Sequence, residues 1–338
     1  MKRAGLAYIA VLVVLAAAGI AVMLRVVETR PPRARSGEKP VLFAVRAGES
    51  FSSVSRRLGE TDLVAHPRVL EVYAWVGGAD RRIKAGTYAM ERGSTPKEIL
   101  KKLVSGDVFR VSVTIPEGFM LTQIAGALTA AGIDSAAFAG LADDPEARKK
   151  LGVEGPRLEG YLFPDTYLVP VGMTPLEVAA MMRARLDEVF DAKMAQRAED
   201  LSMTRHQVLT LASIIQAEAR LPGEMPLVSA VYHNRLKSGI KLEADPTVAY
   251  AMGGYRGRLY YKDLEIDSPY NTYRYAGLPP GPICAPGKAS IEAALHPDAG
   301  CRAVYFVAKG DGGHIFSLTL DEHLAAVESV KRLRGRSE

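Results

Sequence analysis

The chain runs to 338 residues, 48% apolar and 24% charged, the balance of an ordinary globular protein with room for two or three modest domains. Its net charge of +5 comes from basic residues scattered without an accompanying aromatic stripe, so nucleic acid is not an expected partner. Two cysteines, Cys284 and Cys301, leave a disulfide and two separate thiols both open; six dispersed histidines and the lack of CxxC or HExxH spacing give no metal site to expect.

In chain order, Gly5 to Leu24 is twenty consecutive uncharged residues, long enough to cross a bilayer as a helix. We read residues 5–25 as a transmembrane anchor and residues 1–4 as a cytoplasmic stub. A cleaved signal peptide, with small residues at Ala16-Ala17-Ala18, is the competing reading. Charge orients the span poorly, because Lys2 and Arg3 face a larger cluster of Arg25, Arg30, Arg33 and Arg35. That cluster either touches anionic lipid headgroups or belongs to a solvated linker. Residues 26–40, with Pro31-Pro32 and Gly37, read as that linker.

Phe43 to Val54 then reads as strand, glycine turn, serine cap and helix, and the pattern returns twice. Each copy has an apolar residue three before its glycine and another six after it. These are Val45 and Val54 about Gly48, Met90 and Ile99 about Gly93, and Ile115 and Ile124 about Gly118. The copies are unevenly spaced, so they form a recurring unit and not a solenoid. The segment 41–108 that opens with the first copy resembles a LysM-like module, which implies glycan holding; a plain spacer is the alternative.

Residues 109–338 read as one further domain. Ile133 to Lys150 predicts short helices, and Glu159 to Tyr167, broken by Gly and Pro, a shaped loop that walls a cleft. One helix is expected from a Thr174 cap to Ala198 and another from about Glu224 to Gly239. Strands at 302–308 and 315–320 flank a glycine-rich turn, in which His314 reads as a turn residue more than a base.

The chemistry centres on Glu218. Thr204 and Gln207 form a capping box for a helix that Pro222-Gly223 ends. Val208, Leu211, Ala212 and Ile215 share one face, and Glu218 falls on its edge in the last turn. Partial desolvation and the negative end of the helix dipole both disfavour a carboxylate there, as a general acid near neutral pH requires. The plainer alternative is a surface Glu at a helix end. Gln216, about 160° around the helix from Glu218, reads as solvent-facing. Asp245, before Pro246 and Thr247, is either a turn former or a second carboxylate for hydrolysis. Asn234, on the following helix, is a satisfied core amide or a sugar contact. Tyr270, Asn271 and Thr272 follow Pro269 in a loop and offer an aromatic face with polar donors and acceptors for a ligand, though loops also need such residues for turns, and Glu159 is a candidate charge behind such contacts.

Several of these segments resemble, in order and spacing, the endolytic murein transglycosylases of the YceG-like family. They are Leu158 to Tyr167, Leu211 to Glu218, Tyr232 to Leu236, Leu242 to Tyr250, Ser268 to Tyr273 and Gly277 to Ile283. The likeness runs from about residue 41 to the C-terminus. It implies an α+β fold with a transmembrane helix, a LysM-like subdomain and a lytic-transglycosylase-type catalytic domain. It also implies Glu218 as catalytic acid, with Asn234, Asp245, Thr247, Tyr270, Asn271, Thr272 and Glu159 as substrate-binding candidates. Many relatives carry a second Glu where this chain has Gln216. Lytic transglycosylases need one carboxylate, because the substrate's own 6-hydroxyl is the nucleophile. The resemblance places the domain on the outer face of the cytoplasmic membrane, acting on peptidoglycan glycan strands beside penicillin-binding synthases. A non-catalytic wall-binding scaffold is the alternative. No Gly-rich loop beside a lysine suits both a Schiff base and a phosphate cup, so no pyridoxal-phosphate-type cofactor is expected.

Overall fold

A computed structural model describes residues 2–29, 39–254 and 259–334. Most of the expected linker, with Arg30, Arg33 and Arg35, lies outside the described residues. The chain divides into two compact units, Met1–Val111 with Leu168–Gly172, and Ser112–Tyr167 with Met173–Glu338. The return of residues 168–172 to the first unit has no counterpart in the sequence reading.

The first unit begins with helix α1 (Lys2–Glu28), whose segment Ala7–Glu28 is long and apolar enough to cross a membrane. Strand β1 (Val41–Val45), helices α2 (Phe51–Glu60) and α3 (Pro67–Val76), and strand β2 (Gly86–Met90) follow. β1 and β2 pair antiparallel, with Phe43 opposite Tyr88. Alternation along β1 sends Phe43 and Val45 inward, where they meet Val54, Leu58, Leu70 and Tyr88. Helix α4 (Pro96–Ser105) closes this core with Ile99 and Leu103, its start fixed by a Thr95–Glu98 capping box.

Strand β3 (Arg110–Thr114) pairs with β4 (Thr166–Pro170), and between them lie α5 (Leu121–Leu128), α6 (Ser135–Gly140) and α7 (Pro145–Lys150). The second unit continues with α8 (Pro175–Val189), α9 (Ala192–Asp200), α10 (Arg205–Glu218), α11 (Met225–Lys237) and α12 (Asp245–Ala251). It ends with α13 (Lys288–Leu295), the antiparallel pair β5 (Tyr305–Ala308) and β6 (His314–Ser317), and α14 (Leu320–Arg334).

Strand, turn and helix occur at all three glycine-centred copies, and the six apolar residues that define them are all buried. Gly48 and Gly118 take φ of +74° and +80°, which a Cβ would strain. The single helix expected from Thr174 to Ala198 is instead two. Phe190 leaves helical geometry at ψ 74°, and Asp191 caps the second helix through its side chain. The Asp-Pro-Thr segment, expected as a turn, starts α12, with Pro246 in the first turn where its missing N–H costs nothing. Cys284 is a buried free thiol and Cys301 a half-buried one, which settles the open disulfide question.

Candidate active site

Helix α10 is the central strut. Thr204 accepts from the Gln207 amide at 3.2 Å while Gln207 accepts from the Thr204 amide at 2.8 Å, the reciprocal cap read from the sequence. The one-faced pattern expected for this helix undercounts its burial. Every residue from Val208 to Ile215 is buried, as α9, α11, α12 and α13 pack around it. Its two hydroxyls are satisfied locally: Thr210 donates to the His206 carbonyl at 2.7 Å and Ser213 to the Thr210 carbonyl at 2.7 Å. A helix so enclosed holds its last residue, Glu218, rigidly.

Glu218 opens onto a cleft of about 880 Å³. Met120, Thr122 and Gln123 at the start of α5 form one edge, and Asp245, Ala249 and Tyr250 of α12 another. Ile283 and Cys284 line a third side, and the β5–β6 hairpin contributes Gly310, Gly312 and His314. Glu218 is half-buried, because one side faces the cleft while protein crowds the carboxyl itself. Desolvation, and then the nearby charge of Asp245, push its pKa up to about 7. Among the described residues no donor hydrogen-bonds this carboxyl, so nothing favours its anion.

Glu159 is the other buried acid, pushed up to about 8 by desolvation. Its Oε1 accepts from the Leu121 amide at 2.9 Å, and Tyr250 and the Gly160 amide also hydrogen-bond it. It therefore caps the start of α5 and steadies Tyr250, whose ring sits 4.8 Å from that of Tyr270. The loop it belongs to stands behind the cleft wall and does not line it, contrary to expectation. Gly160 allows this packing: at φ +77°, a Cβ there would meet Pro282 at 2.2 Å.

Of the seven substrate-binding candidates, Asp245 alone lines the cleft. The Tyr273 hydroxyl donates to its Oδ1 at 2.6 Å. Thr247 and Thr272 are buried and bond each other at 2.9 Å; Thr272 also accepts from the Ala244 amide at 2.9 Å. Asn271 donates to the carbonyls of Leu264 and Ile266 at 2.8 Å each. These three fasten the loops that carry Asp245. Asn234 does the same elsewhere, donating to the carbonyls of Cys301 and Ala303 at 3.1 and 3.0 Å. Gln216 is not solvent-facing: half-buried, it accepts from the Gly287 amide at 2.9 Å and holds the start of α13.

His314 is more than the turn residue its glycine-rich context suggests. Its Nδ1 lies 2.8 Å from Oε2 of Glu224, its ring packs edge-on against Phe306, and it lines the cleft. Arg235, within the Tyr232–Leu236 segment, has a role that its sequence context does not announce. Buried, it donates to the carbonyls of Lys241, Leu242 and Val304 and pairs with Glu243 at 3.0 Å, pinning the loop that leads to Asp245. The partners lie up to 90 residues apart in the chain, so no local pattern announces them.

The arrangement supplies one rigid acid, still partly protonated near pH 7, in an open groove with a second carboxylate beside it. Known proteins of similar sequence fit this picture. The chain is 35% identical over 88% of its length to a Bacillus subtilis protein named endolytic murein transglycosylase, covering 86% of that protein. A Streptococcus pneumoniae protein of the same name is 27% identical over 94% of this chain, which spans 63% of that longer protein. A crystal structure of a yceG-like protein from Listeria monocytogenes superposes with a TM-score of 0.58 at 33% identity, over 86% of this chain and 99% of that one. The profile of the YceG-like family matches residues 43–329, and the chain belongs to that family.

Proposed function

We propose that this chain is a membrane-anchored endolytic murein transglycosylase, a lyase that cuts MurNAc–GlcNAc bonds within nascent glycan strands and so ends their growth. The observation that carries the reading is Glu218, a carboxyl desolvated on an immobile helix end and open to a groove. The names of the relatives supply the substrate class.

In this mechanism the Glu218 carboxyl gives its proton to the glycosidic oxygen as the bond to C1 of MurNAc breaks. Positive charge develops at C1, and the new Glu218 carboxylate takes the proton of the same sugar's 6-hydroxyl. O6 then bonds to C1, leaving a 1,6-anhydro ring and a restored acid. The nucleophile is already tethered, so the step gains the proximity advantage of an intramolecular reaction, and no water is consumed. Desolvation, and secondarily the charge of Asp245, favours the protonated form of Glu218, and Tyr273 fixes Asp245 in place.

The β1-α2-α3-β2 order of the first unit supports a LysM-like reading of residues 41–108, and α1 supports an anchor; the outer-face placement of the rest of the chain rests on the resemblance. Penicillin-binding synthases are the proposed neighbours on the strength of the resemblance alone. A second reading, hydrolysis with Asp245 as base, is favoured by its place in the same cleft.

Purified uncrosslinked glycan strands test the proposal. An endolytic enzyme shortens the mean strand length before disaccharides accumulate. Release of disaccharides from the outset would make it exolytic, and intact strands would return the scaffold reading.

A further inference from the structure

The chain has one tryptophan, Trp75, and it is 69% exposed. Val72 and Val76, three before and one after it on α3, are 52% and 65% exposed, so the three share one face. An exposed apolar stripe beside a membrane-spanning candidate calls for a partner. Helix α1 is bare along most of its length and meets the first unit only in its last turns, where Val27 is buried and Met23 and Val26 are half-buried.

Ile20, Met23 and Leu24 of α1 share a groove of about 600 Å³ with Tyr73 and Val76 of α3. Those three α1 residues belong to the uncharged run that ends at Leu24. When α1 spans a bilayer they occupy roughly the last 6 Å of hydrocarbon, at 1.5 Å per residue. Val76 lines the same groove, which puts its neighbour Trp75 near the headgroup boundary at that end of the span. Tryptophan is enriched at that depth because its ring is apolar and its N–H polar. Exposed Arg81 shares a hollow with Trp75 and Val76, and exposed Arg82 and Lys101 border the α1 groove. Glu71 and Asp80 also adjoin Trp75, and Lys97 is paired with Glu28 at 2.7 Å, so Arg81, Arg82 and Lys101, without a salt bridge among the described residues, set the preference for anionic lipid.

We propose that the Val72–Trp75–Val76 face of α3 is a membrane-contact surface that seats among anionic phospholipid headgroups beside the anchor. It rests on reading α1 as that anchor.

The full chain reconstituted in vesicles of zwitterionic and anionic phospholipid tests this, because its tryptophan fluorescence comes from Trp75 alone. The emission is expected to shift to the blue and to be quenched when the lipids carry bromine at shallow acyl positions. Arg81→Glu with Arg82→Glu should reduce that quenching, and Trp75→Phe provides the blank. A chain that floats with the vesicles yet keeps water-exposed, unquenched emission overturns the surface while leaving the anchor standing. A chain that does not float removes the anchor and the inference with it. Emission indifferent to brominated lipid but shifted by soluble glycan strands assigns Trp75 to glycan and also overturns it.

Discussion

Glu218 and Glu159 are both acids that burial holds protonated near neutral pH, yet their surroundings differ in kind. Glu159 is sealed behind the cleft, with the Leu121 and Gly160 amides and the Tyr250 side chain meeting its oxygens. Glu218 stands at the end of a buried helix with no donor among the described residues and with the cleft before it. Desolvation alone does not mark a catalytic acid, since it acts on both. The difference lies in where the hydrogen-bonding capacity goes: Glu159 spends it on the protein, and Glu218 keeps it for whatever enters the groove.

The largest expected effect separates the two directly. Glu218→Gln should lower strand cleavage at least ~100-fold, within the span of general acid catalysis, whereas Glu159→Gln should stay within a few-fold of the parent. Glutamine mimics a neutral carboxylic acid, which Glu159 already is at pH 7. Equal losses would erase the distinction, and retained activity in Glu218→Gln would pass the acid's role to Asp245.

Stability should divide them next. Below about pH 4.5 the Glu218 carboxyl is neutral in both the folded and unfolded chain and costs nothing. As pH rises toward 7 the unfolded chain loses the proton and the folded chain keeps it, so the fold is progressively destabilised. Glu218→Gln lacks this penalty and should gain up to about 3 kcal/mol by pH 8, a gain that fades toward pH 4.5. Denaturant midpoints across that range measure it; a pH-independent difference would refute a raised pKa. Below about pH 4.5, where the carboxyl is neutral in both states, Glu159→Ala should instead lose about 1–3 kcal/mol by leaving the Leu121 amide unpaired. A neutral outcome would make its contacts incidental.

The smallest effect sharpens the electrostatics. Because the free enzyme must carry the Glu218 proton, kcat/KM should fall as pH rises through about 7. Removing the neighbouring charge in Asp245→Asn should move that limb to lower pH, by under about one unit for a partly solvated pair. An unmoved limb would show that Asp245 does not act on Glu218.

Local order made part of this legible in the sequence. The Thr204–Gln207 box, the glycine turns with their flanking apolar residues and the acid on the last turn of α10 depend on neighbours within a few residues, and the sequence prints those. The polar residues around the cleft were harder to sort. Asn234, Asn271 and Thr272 look like sugar contacts by type, but their donors and acceptors are taken by backbone of loops they fasten. Gln216 holds an amide 71 residues away, and His314 a carboxylate 90 residues away. Spacing cannot reveal partners that only the tertiary fold brings together.

The central claim is that Glu218 works alone, with the substrate's own hydroxyl as nucleophile. Digestion of uncrosslinked glycan strands in ¹⁸O-labelled water, followed by mass analysis of the new ends, tests it most directly. The expected products are 1,6-anhydro ends, each lighter by one water than a reducing end and free of label. Reducing ends that carry the heavy oxygen would contradict it and make Asp245 the second carboxylate of a hydrolase.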